Sequence, residues 1–312
     1  MKHGTRKRLC GNALRIGKFA TQLQGHHDMA NSTGMAGVVK VNYHFNDFDF
    51  NSWAKEASEK FKLPPVVIVE SPINSETRQT EVQHWNSFFR NHRSGNFFKP
   101  RNYLFAEFFS WLSPYCSDDH SGDKLLALEV GCGHGCSMYP LLKSLPASTL
   151  YIATDYSPNA LSILREHSEF NETCIQTALW DVTVQTEDTH ILQHPLNIIF
   201  CIFALSAVKP EHHFKAFCNM ASVLTSGGTI LFRDYGLHDM TMYRHTKRRG
   251  ENLYERNDRT LAFYFDLDYL RKVATSSGLT AVELEYATVL VRNRKKANCM
   301  RRVFIHAVFR KL

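Results

Sequence analysis

The stretch Leu125–Gly135, which reads LLALEVGCGHG, decides the fold. It opens with a short apolar run, whose length and flanking glycines predict a buried parallel strand rather than a helix. Gly131, Gly133 and Gly135 follow at every second position, where glycine accepts a positive φ and lets a ligand approach the backbone. Apolar residues then recur at helical spacing over Gly135–Leu145. A strand that passes through a glycine turn into a helix is the arrangement that holds nucleotide-like cofactors in doubly wound folds.

The spacing of these glycines separates two kinds of cofactor. A dinucleotide fingerprint reads G-x-G-x-x-G and aims a helix N-terminus at a pyrophosphate. This chain reads G-x-G-x-G instead, with Glu129 two positions before Gly131. A carboxylate there would repel a pyrophosphate but suits a ligand with an ammonium group. S-adenosylmethionine, which has an α-amino group and no phosphate, is therefore the expected cofactor, and a purely structural glycine turn is the alternative.

Strand and helix patterns alternate from this stretch towards the C-terminus, which predicts βα units and a parallel sheet. We expect the class I S-adenosylmethionine-dependent methyltransferase variant of the Rossmann-like α/β fold. That variant has a seven-stranded, mostly parallel sheet closed by a terminal antiparallel hairpin. The predicted strands are Leu125–Val130, Leu150–Asp155, Cys174–Leu179, Leu196–Phe203, Gly228–Asp234, Ala281–Leu290 and Arg302–Phe309.

Helices are predicted between these strands and ahead of the first one. Ser157 is a favourable N-cap with Pro158 behind it, and Gly227-Gly228 is expected to close the helix before the fifth strand. Two segments ahead of the glycine stretch carry aromatic residues at helical spacing. The predicted helices are Trp53–Phe61, Glu76–Asn91, Tyr103–Leu112, Gly135–Leu145, Ser157–His167, Pro210–Leu224 and Asp266–Ser277.

These patterns divide the 312-residue chain into three regions. Residues 1–40 have few large apolar side chains and are expected to be a basic, disordered tail or a targeting segment. Residues 41–120 are expected to form an aromatic helical extension that covers the cofactor, and the family resemblance given below implies that this extension also contacts RNA. Residues 121–312 are expected to form the methyltransferase domain.

The net charge of +7 is concentrated at the two ends, because residues 1–27 and 286–312 contain Lys and Arg but no Asp or Glu. Basic ends suit a polyanion such as nucleic acid, and a solvated basic surface is the alternative. An acid-free basic N-terminus is also typical of mitochondrial presequences, so the mitochondrion is the alternative to a cytoplasmic location. The scattered cysteines predict buried thiols and no metal site. No apolar run reaches the ~20 residues of a membrane helix.

Ligands of open α/β sheets bind beyond the carboxyl ends of the strands, so the residues that end each strand are candidate site residues. Asp155 ends the second strand, where a carboxylate accepts hydrogen bonds from ribose hydroxyls. Asp181 and Val182 follow the third strand and suit the amine and the ring of adenine. Ile202 belongs to an apolar run that suits the floor under the purine. An N-cap role for Asp155 and a turn role for Asp181 are the structural alternatives.

The fifth strand ends in Arg233, Asp234 and Tyr235, where a substrate would meet the cofactor. Asp234 is the candidate catalytic residue, and an Arg–Asp pair that braces the loop is the alternative. The segment that follows interleaves Arg and Lys with Tyr and includes Arg248 and Arg256. This composition suits a phosphate backbone with unpaired, stacked bases, which is the usual mode of RNA recognition.

Five regions of sequence give the chain a specific resemblance to the tRNA N3-methylcytidine methyltransferases, a methyltransferase-like family that acts in the anticodon loop. The glycine stretch is common to many methyltransferases, whereas the last region is particular to this family. The regions are HWNSFFRNHRSGNFFKPRNYLFAEF (84–108), LEVGCGHG (128–135), ATDYSPNAL (153–161), IFALSAVKP (202–210), and FRDYGLHDM with GENLYERNDRTLAFYF (232–240 and 250–265).

The resemblance implies methylation of cytidine N3 in tRNA, at position 32, with S-adenosylmethionine as the methyl donor. It also implies tRNA as a partner, and some relatives need an aminoacyl-tRNA synthetase or another accessory protein. Lys99 and Arg101 match a basic motif near the tRNA, in which Pro100 replaces a usual Asp. Phe89 replaces a usual Tyr. The positions that match cofactor-contacting residues of the family are Trp85, Phe89, Gly131, Asp155, Asp181, Val182 and Ile202, and Gly133 joins them from the glycine turn.

Two other functions compete with this one. A methyltransferase of the same fold that acts on a small molecule or on another RNA would have the same cofactor site. A catalytically silent scaffold subunit would bind tRNA without methylating it. Within the favoured function, Asp234 is expected to contact the cytosine amino group or to offset the positive charge of the product.

Overall fold

Strand β1 (Leu126–Val130) lies inside a seven-stranded sheet. The structure, a computed structural model, describes residues 45–67, 75–94, 97–116, 124–185, 195–293 and 298–312, so the predictions for residues 1–40 lie outside the described residues. Successive side chains of β1 point to opposite faces of the sheet, and all but the first are buried. Burial on both faces explains why the strand reads as a continuous apolar run.

The order of the strands is β3-β2-β1-β4-β5-β10-β9, and β10 runs antiparallel to both of its neighbours. Sheet growth reverses between β1 and β4, which creates the switch point beside which ligands of open α/β sheets bind. The predicted fold class, including the terminal antiparallel hairpin, is therefore confirmed. The other strands of this sheet are β2 (Leu150–Asp155), β3 (Ile175–Leu179), β4 (Leu196–Ile202), β5 (Leu224–Tyr235), β9 (Leu279–Asn293) and β10 (Asn298–Lys311).

Helices cover both faces of the sheet and enclose two apolar clusters. One cluster contains Phe217 and Leu270, and the other contains Leu104, Leu141 and Leu161. The helices are α1 (Phe50–Lys60), α2 (Ser75–Asn91), α3 (Leu104–Glu107), α4 (Phe109–Leu112), α5 (Met138–Leu142), α6 (Pro158–Arg165), α7 (Pro210–Val223) and α8 (Leu267–Ser276).

Most predicted helix ends differ from the structure by one to three residues, and three predictions about the helices need correction. Tyr103–Leu112 is split into α3 and α4, because the backbone at Phe108 leaves the helical conformation (φ −105°, ψ 26°). Gly135–Leu145 shrinks to α5, because the glycine turn occupies its first residues. Gly227 does not close α7, which already ends before an extended Leu224, and lies within β5. The predicted N-cap at Ser157 is confirmed, since its hydroxyl accepts the Ala160 N–H.

A second sheet of three short antiparallel strands follows β5 and was not predicted: β6 (Lys247–Arg248), β7 (Leu253–Glu255) and β8 (Leu261–Phe263). These strands have only two or three residues each, which is too short to show an alternating pattern. The Phe265 N–H donates to the Tyr235 carbonyl at 2.8 Å, which ties the end of the small sheet to the end of β5. The small sheet is thereby placed beside the carboxyl edge of the large one.

Among the described helices, none is both long enough and apolar enough to cross a membrane.

Candidate active site

The loop between β1 and α5 is shaped by three left-handed glycines, Gly131 (φ +65°), Gly133 (φ +55°) and Gly135 (φ +86°). A Cβ atom at Gly131 would lie 2.9 Å from the Cβ of Ala204. A Cβ atom at Gly133 would lie 3.3 Å from the Cζ of Phe89. The loop therefore passes closely between Ala204, two residues after the end of β4, and the Phe89 ring of α2.

Asp155 ends β2 next to this loop. Its Oδ2 accepts the Gly133 N–H at 3.0 Å, and its Oδ1 accepts the Ser157 N–H at 2.8 Å. Burial raises the pKa of Asp155 to about 6, although the hydrogen bonds from Ser157 and Gly133 lower it. The carboxylate is thus mostly charged at neutral pH. Three backbone N–H groups, of Ser157, Gly133 and Tyr156, donate to it, which leaves lone-pair capacity for a ligand hydroxyl.

Glu129 lies behind the loop rather than in the cavity wall. The Tyr151 hydroxyl donates to its Oε2 at 3.0 Å, while Oε1 is buried without a hydrogen bond in the described part of the chain. Burial raises the pKa of Glu129 to about 7, against the opposing effect of the Arg101 charge and of hydrogen bonds from Ser137 and Tyr151. Glu129 therefore acts on a ligand in the cavity only through its charge, across the glycine loop, and not by direct contact.

A cavity of about 360 Å³ lies beyond the carboxyl ends of β1, β2 and β4. Trp85 and Phe89 of α2 form one aromatic wall, with their ring centroids 5.8 Å apart. Trp180 adds an apolar surface after β3. Seven of the predicted cofactor residues line this cavity: Trp85, Phe89, Gly131, Gly133, Asp155, Val182 and Ile202.

Asp181 is the predicted cofactor residue that the structure does not place in the cavity wall. Its Oδ1 accepts the N–H of Thr183 at 3.0 Å and the Thr183 hydroxyl at 2.8 Å, whereas its neighbours Trp180 and Val182 do line the cavity. The expected contact between Asp181 and the adenine amine stays a prediction.

Arg101 lies at the glycine loop, although its sequence motif predicted a contact with tRNA. Its Nη1 donates to Cys136 Sγ at 2.6 Å and to Ser137 Oγ at 2.8 Å, and its guanidinium lies 4.9 Å from the Phe203 ring. Because it also lines the cavity, it presents a fixed positive charge beside the loop. A guanidinium so held suits the carboxylate of a ligand.

A second part of the cavity wall is formed by Tyr235, Arg256, Arg302 and Phe304. The guanidinium groups of Arg256 and Arg302 each lie 5.9 Å from the Tyr235 ring. Phe203, at the end of β4, also lines this space and has a left-handed backbone (φ +54°), which is costly for a bulky residue and concentrates at functional sites. Cations interleaved with aromatic rings can stack a base and attract its phosphates.

Arg233 and Asp234 lie inside the fold rather than in this space. Arg233 is 1% exposed and forms an ion pair with Glu107, so the structure offers no direct contact between Arg233 and tRNA. Asp234 is fully buried, and its two oxygens accept the N–H groups of Ser206 (2.8 Å) and Tyr235 (2.9 Å). Asp234 thus braces the turn after β4 through backbone N–H groups, while Arg233 pairs with Glu107, and the catalytic role of Asp234 stays a prediction.

Two more predicted tRNA residues lie outside the cavity wall. Lys99 is exposed. Arg248 is half-buried, and its guanidinium donates to the carbonyl oxygens of Gly250 and Glu251. The predicted contacts of Lys99 and Arg248 with tRNA phosphates stay predictions, because the geometry of the cavity does not test them.

Sequence reasoning predicted Tyr235 and Arg256 of this cavity wall but missed the residues of β10 and the loop between β7 and β8. Phe304 pairs with Tyr235 across the antiparallel β5–β10 ladder, so the start of β10 meets the end of β5. The predicted terminal hairpin contained this information, because an antiparallel neighbour of β5 must return its first residues to the carboxyl edge. Asp258 and Thr260 also line the cavity, and only their place in the last family-specific region marked them.

The lining of the cavity fits S-adenosylmethionine. Asp155 suits the ribose hydroxyls, Arg101 suits the carboxylate, and apolar side chains of the Trp180–Val182 segment and Ile202 suit the adenine ring. His134 lines the same space with a buried Nε2 that has no partner in the described part of the chain, which leaves one donor or acceptor for a ligand. The spacing of the glycine turn and the donor set agree on the same cofactor.

Comparison with known proteins supports this assignment. A family model described as a methyltransferase domain matches residues 127–228. A solved S-adenosylmethionine-dependent methyltransferase from Anabaena variabilis superimposes with a TM-score of 0.58 at 12% identity, covering 80% of this chain and 100% of that one. At this identity the likeness shows the fold alone. The chain therefore contains an S-adenosylmethionine-dependent methyltransferase domain, and its matched segment includes the glycine loop and Asp155.

Two relatives narrow the family. The chain is 34% identical over 256 residues to the tRNA N(3)-cytidine methyltransferase METTL6 of Rattus norvegicus, covering 81% of this chain and 87% of that protein. It is 31% identical over 278 residues to the tRNA(Thr) (cytosine(32)-N(3))-methyltransferase of Saccharomyces cerevisiae, covering 85% of this chain and 43% of that protein. With a relative above 30% identity matched over most of both lengths, the chain belongs to the tRNA N(3)-cytidine methyltransferase family.

Proposed function

We propose that this protein transfers a methyl group from S-adenosylmethionine to N3 of a cytidine in the anticodon loop of tRNA, at position 32. The observation that carries the proposal is one cavity with two different ends. One end holds Asp155, Arg101 and the glycine loop, and the other combines Tyr235 with guanidinium groups. The first end suits the cofactor, and the second suits a nucleotide of an RNA loop.

The proposed methyl transfer does not require acid–base catalysis by side chains. S-adenosylmethionine supplies a methyl group on a positively charged sulfur, which needs no activation by the protein. Cytosine N3 has a free lone pair at neutral pH, so no general base has to remove a proton first. The protein therefore contributes by holding N3 in line with the methyl group, which is positioning rather than acid–base catalysis.

The aromatic and cationic end accounts for a target in a loop. In a paired stem N3 is engaged in base pairing, so the target must be unpaired and turned out of its stack. Tyr235 and Phe304 offer rings on which such a base can stack, and Arg256 and Arg302 offer charge for adjacent phosphates. Lys99 and Arg248 extend the basic surface outside the cavity in this proposal.

The test uses the full chain, labelled S-adenosylmethionine and unmodified total tRNA, followed by mass spectrometry of the digested nucleosides and mapping of the labelled position. We expect label in 3-methylcytidine of the anticodon loop. Asp155→Ala should lower turnover at least hundredfold, while Glu172→Ala, an exposed acid away from the cavity, should behave as the wild type.

Two outcomes would contradict the proposal. Label in another nucleoside, or in a small molecule of an added extract, would favour a different methyltransferase of this fold. Cofactor binding without transfer to any tRNA, with and without added aminoacyl-tRNA synthetase fractions, would favour a tRNA-binding scaffold. The assay with added synthetase is included because we propose an aminoacyl-tRNA synthetase or another accessory protein as a partner.

A further inference from the structure

The hairpin loop between β7 and β8 carries a carboxylate to the substrate end of the cavity. Its base is closed by the Arg256 N–H, which donates to the Thr260 carbonyl at 2.8 Å. Within it, Arg259 has a left-handed backbone (φ +68°) and donates its N–H to the Arg256 carbonyl at 2.9 Å. Asp258 lies in this loop and lines the cavity. The loop thus has a defined shape that holds Asp258 in place.

The side chain of Asp258 is oriented by Thr260. Its Oδ1 accepts both the Thr260 N–H at 3.0 Å and the Thr260 hydroxyl at 2.6 Å, and Thr260 itself is buried. The described residues give its Oδ2 no hydrogen bond. One oxygen is therefore fixed by the protein, and the other is left to accept a hydrogen bond from a ligand.

Charge makes this acceptor distinctive. The cavity wall contains two carboxylates, Asp155 and Asp258, and Asp155 belongs to the cofactor end. At the substrate end, Arg256 donates to Thr260 Oγ1 and Arg302 donates to Asp239 Oδ2, so both are donors. Among the residues that the structure describes, Asp258 is the one anionic side chain in the cavity wall at that end.

We propose that Oδ2 of Asp258 accepts a hydrogen bond from the exocyclic N4 amine of the target cytosine and so selects cytosine over uracil. The inference rests on the proposed function. Uracil has a carbonyl oxygen at this position, which would face the carboxylate lone pair and be repelled. N3-methylcytosine is cationic, so the same carboxylate also stabilises the product. This is the role that the sequence alone suggested for Asp234, whose oxygens are occupied by backbone N–H groups.

An Asp258→Asn change should reverse the preference rather than only weaken it. Two Thr260 donors face Oδ1, so the amide must keep its oxygen there and place its NH₂ group where Oδ2 was. An NH₂ group at that position donates to the O4 of uracil and clashes with the N4 amine of cytosine. Asp258→Ala removes the hydrogen bond to the cytosine N4 amine and creates none to the O4 of uracil.

The experiment measures binding of fluorescent tRNAs that differ only in cytidine or uridine at the methylated position, with S-adenosylhomocysteine present. Wild type should bind the cytidine tRNA about tenfold more tightly, the change typical of a charge-assisted hydrogen bond. Asp258→Asn should favour the uridine tRNA, and Asp258→Ala should bind both about equally. Glu251→Gln, the same charge change at an exposed position of the small sheet, should keep the wild-type ratio.

The outcomes separate the two levels of the inference. A wild-type preference for cytidine that persists in both Asp258 variants overturns the role of Asp258 and leaves the proposed function standing. A wild-type protein that neither methylates nor prefers the cytidine tRNA overturns the proposed function itself. Unchanged melting temperatures of the variants ensure that a lost preference reports recognition rather than unfolding.

Discussion

Gly131 and Gly227 have similar left-handed backbones and opposite surroundings. Gly131 (φ +65°) faces Ala204 so closely that an added Cβ would lie 2.9 Å from the Ala204 Cβ. Gly227 (φ +77°) has no atom within 4 Å of such a Cβ. The two positions therefore separate the conformational need for glycine from the steric need.

We predict that Gly131→Ala costs more than Gly227→Ala. The second change should lower the free energy of unfolding by about 1–2 kcal/mol, the cost of a left-handed alanine. The first adds displacement of the loop after β4, so it should lower stability further and weaken S-adenosylhomocysteine binding at least tenfold by calorimetry. If both variants lose the same stability and Gly131→Ala binds S-adenosylhomocysteine as the wild type does, the close contact with Ala204 does not contribute.

Individual residues were predictable from sequence where the backbone alone decides their place. Asp155 ends a buried strand, and the strand direction brings it to the glycine loop whatever its side chain does. Arg101 and Asp234 were harder, because their neighbours come from distant parts of the chain: Cys136 binds the first, and Ser206 binds the second. No local pattern in a single sequence records such pairs.

At the scale of elements, a buried ionic cluster joins α3, β9 and β10. His306 of β10 contacts Glu107 of α3 at 3.1 Å and Glu283 of β9 at 2.9 Å. Trp111 of α4 donates to the other oxygen of Glu283 at 2.8 Å. Burial would lower the pKa of His306, but the hydrogen bonds to Glu107 and Glu283 prevail and raise it to about 9. The cluster therefore contains an imidazolium at neutral pH.

This cluster predicts a stability that falls with rising pH. Because the folded-state pKa of His306 lies above its usual value of 6.5, its contribution is fully present below pH 6.5 and is lost as pH rises through about 9. The difference corresponds to about 3 kcal/mol. Urea unfolding at pH 6.5 and 9.5 should show this loss.

Two variants control that measurement. His306→Gln should be less stable at pH 6.5 and should flatten the pH dependence between the two values. His212→Gln, on α7, should retain the wild-type slope. A wild-type slope in His306→Gln would assign the pH dependence to other groups.

Elements were predictable in proportion to the length of their pattern. The strands of the large sheet are covered on both faces or alternate over many residues, and their positions are close to those predicted. The strands of the small sheet have two or three residues each, and α3 and α4 have four, so tertiary contacts rather than periodicity define them. Tyr235 and Arg256 of the substrate end were predicted from the sequence. The loop between β7 and β8 and the residues of β10 were missed, because only tertiary contacts bring them to the end of β5.

At the scale of the whole molecule, the cavity joins three separate parts of the chain: residues 85–101, 130–208 and 235–304. A ligand that contacts all three should stabilise them together. We predict that S-adenosylhomocysteine at 100 times its Kd raises the free energy of unfolding by about 2.7 kcal/mol, in a single cooperative transition. Scanning calorimetry with and without the ligand measures this.

A dinucleotide provides the matched control for that experiment. NAD at the same concentration should leave the transition unchanged, because the glycine spacing and Glu129 disfavour a pyrophosphate. A stabilisation by NAD of equal size would contradict the cofactor assignment. Two transitions, of which only one responds, would show that the three parts unfold separately.

The placement of the cavity residues along the chain has a consequence for how such proteins diversify. The glycine loop, Asp155, Val182 and Ile202 fall within the matched methyltransferase segment, residues 127–228, whereas Trp85, Tyr235, Asp258 and Phe304 fall outside it. Much of the cofactor site and the proposed acceptor site thus lie in different blocks of sequence, although Trp85 and Arg101 add cofactor-site residues from before residue 127. Mutations within residues 235–304 can therefore change the acceptor while the glycine loop and Asp155 stay intact.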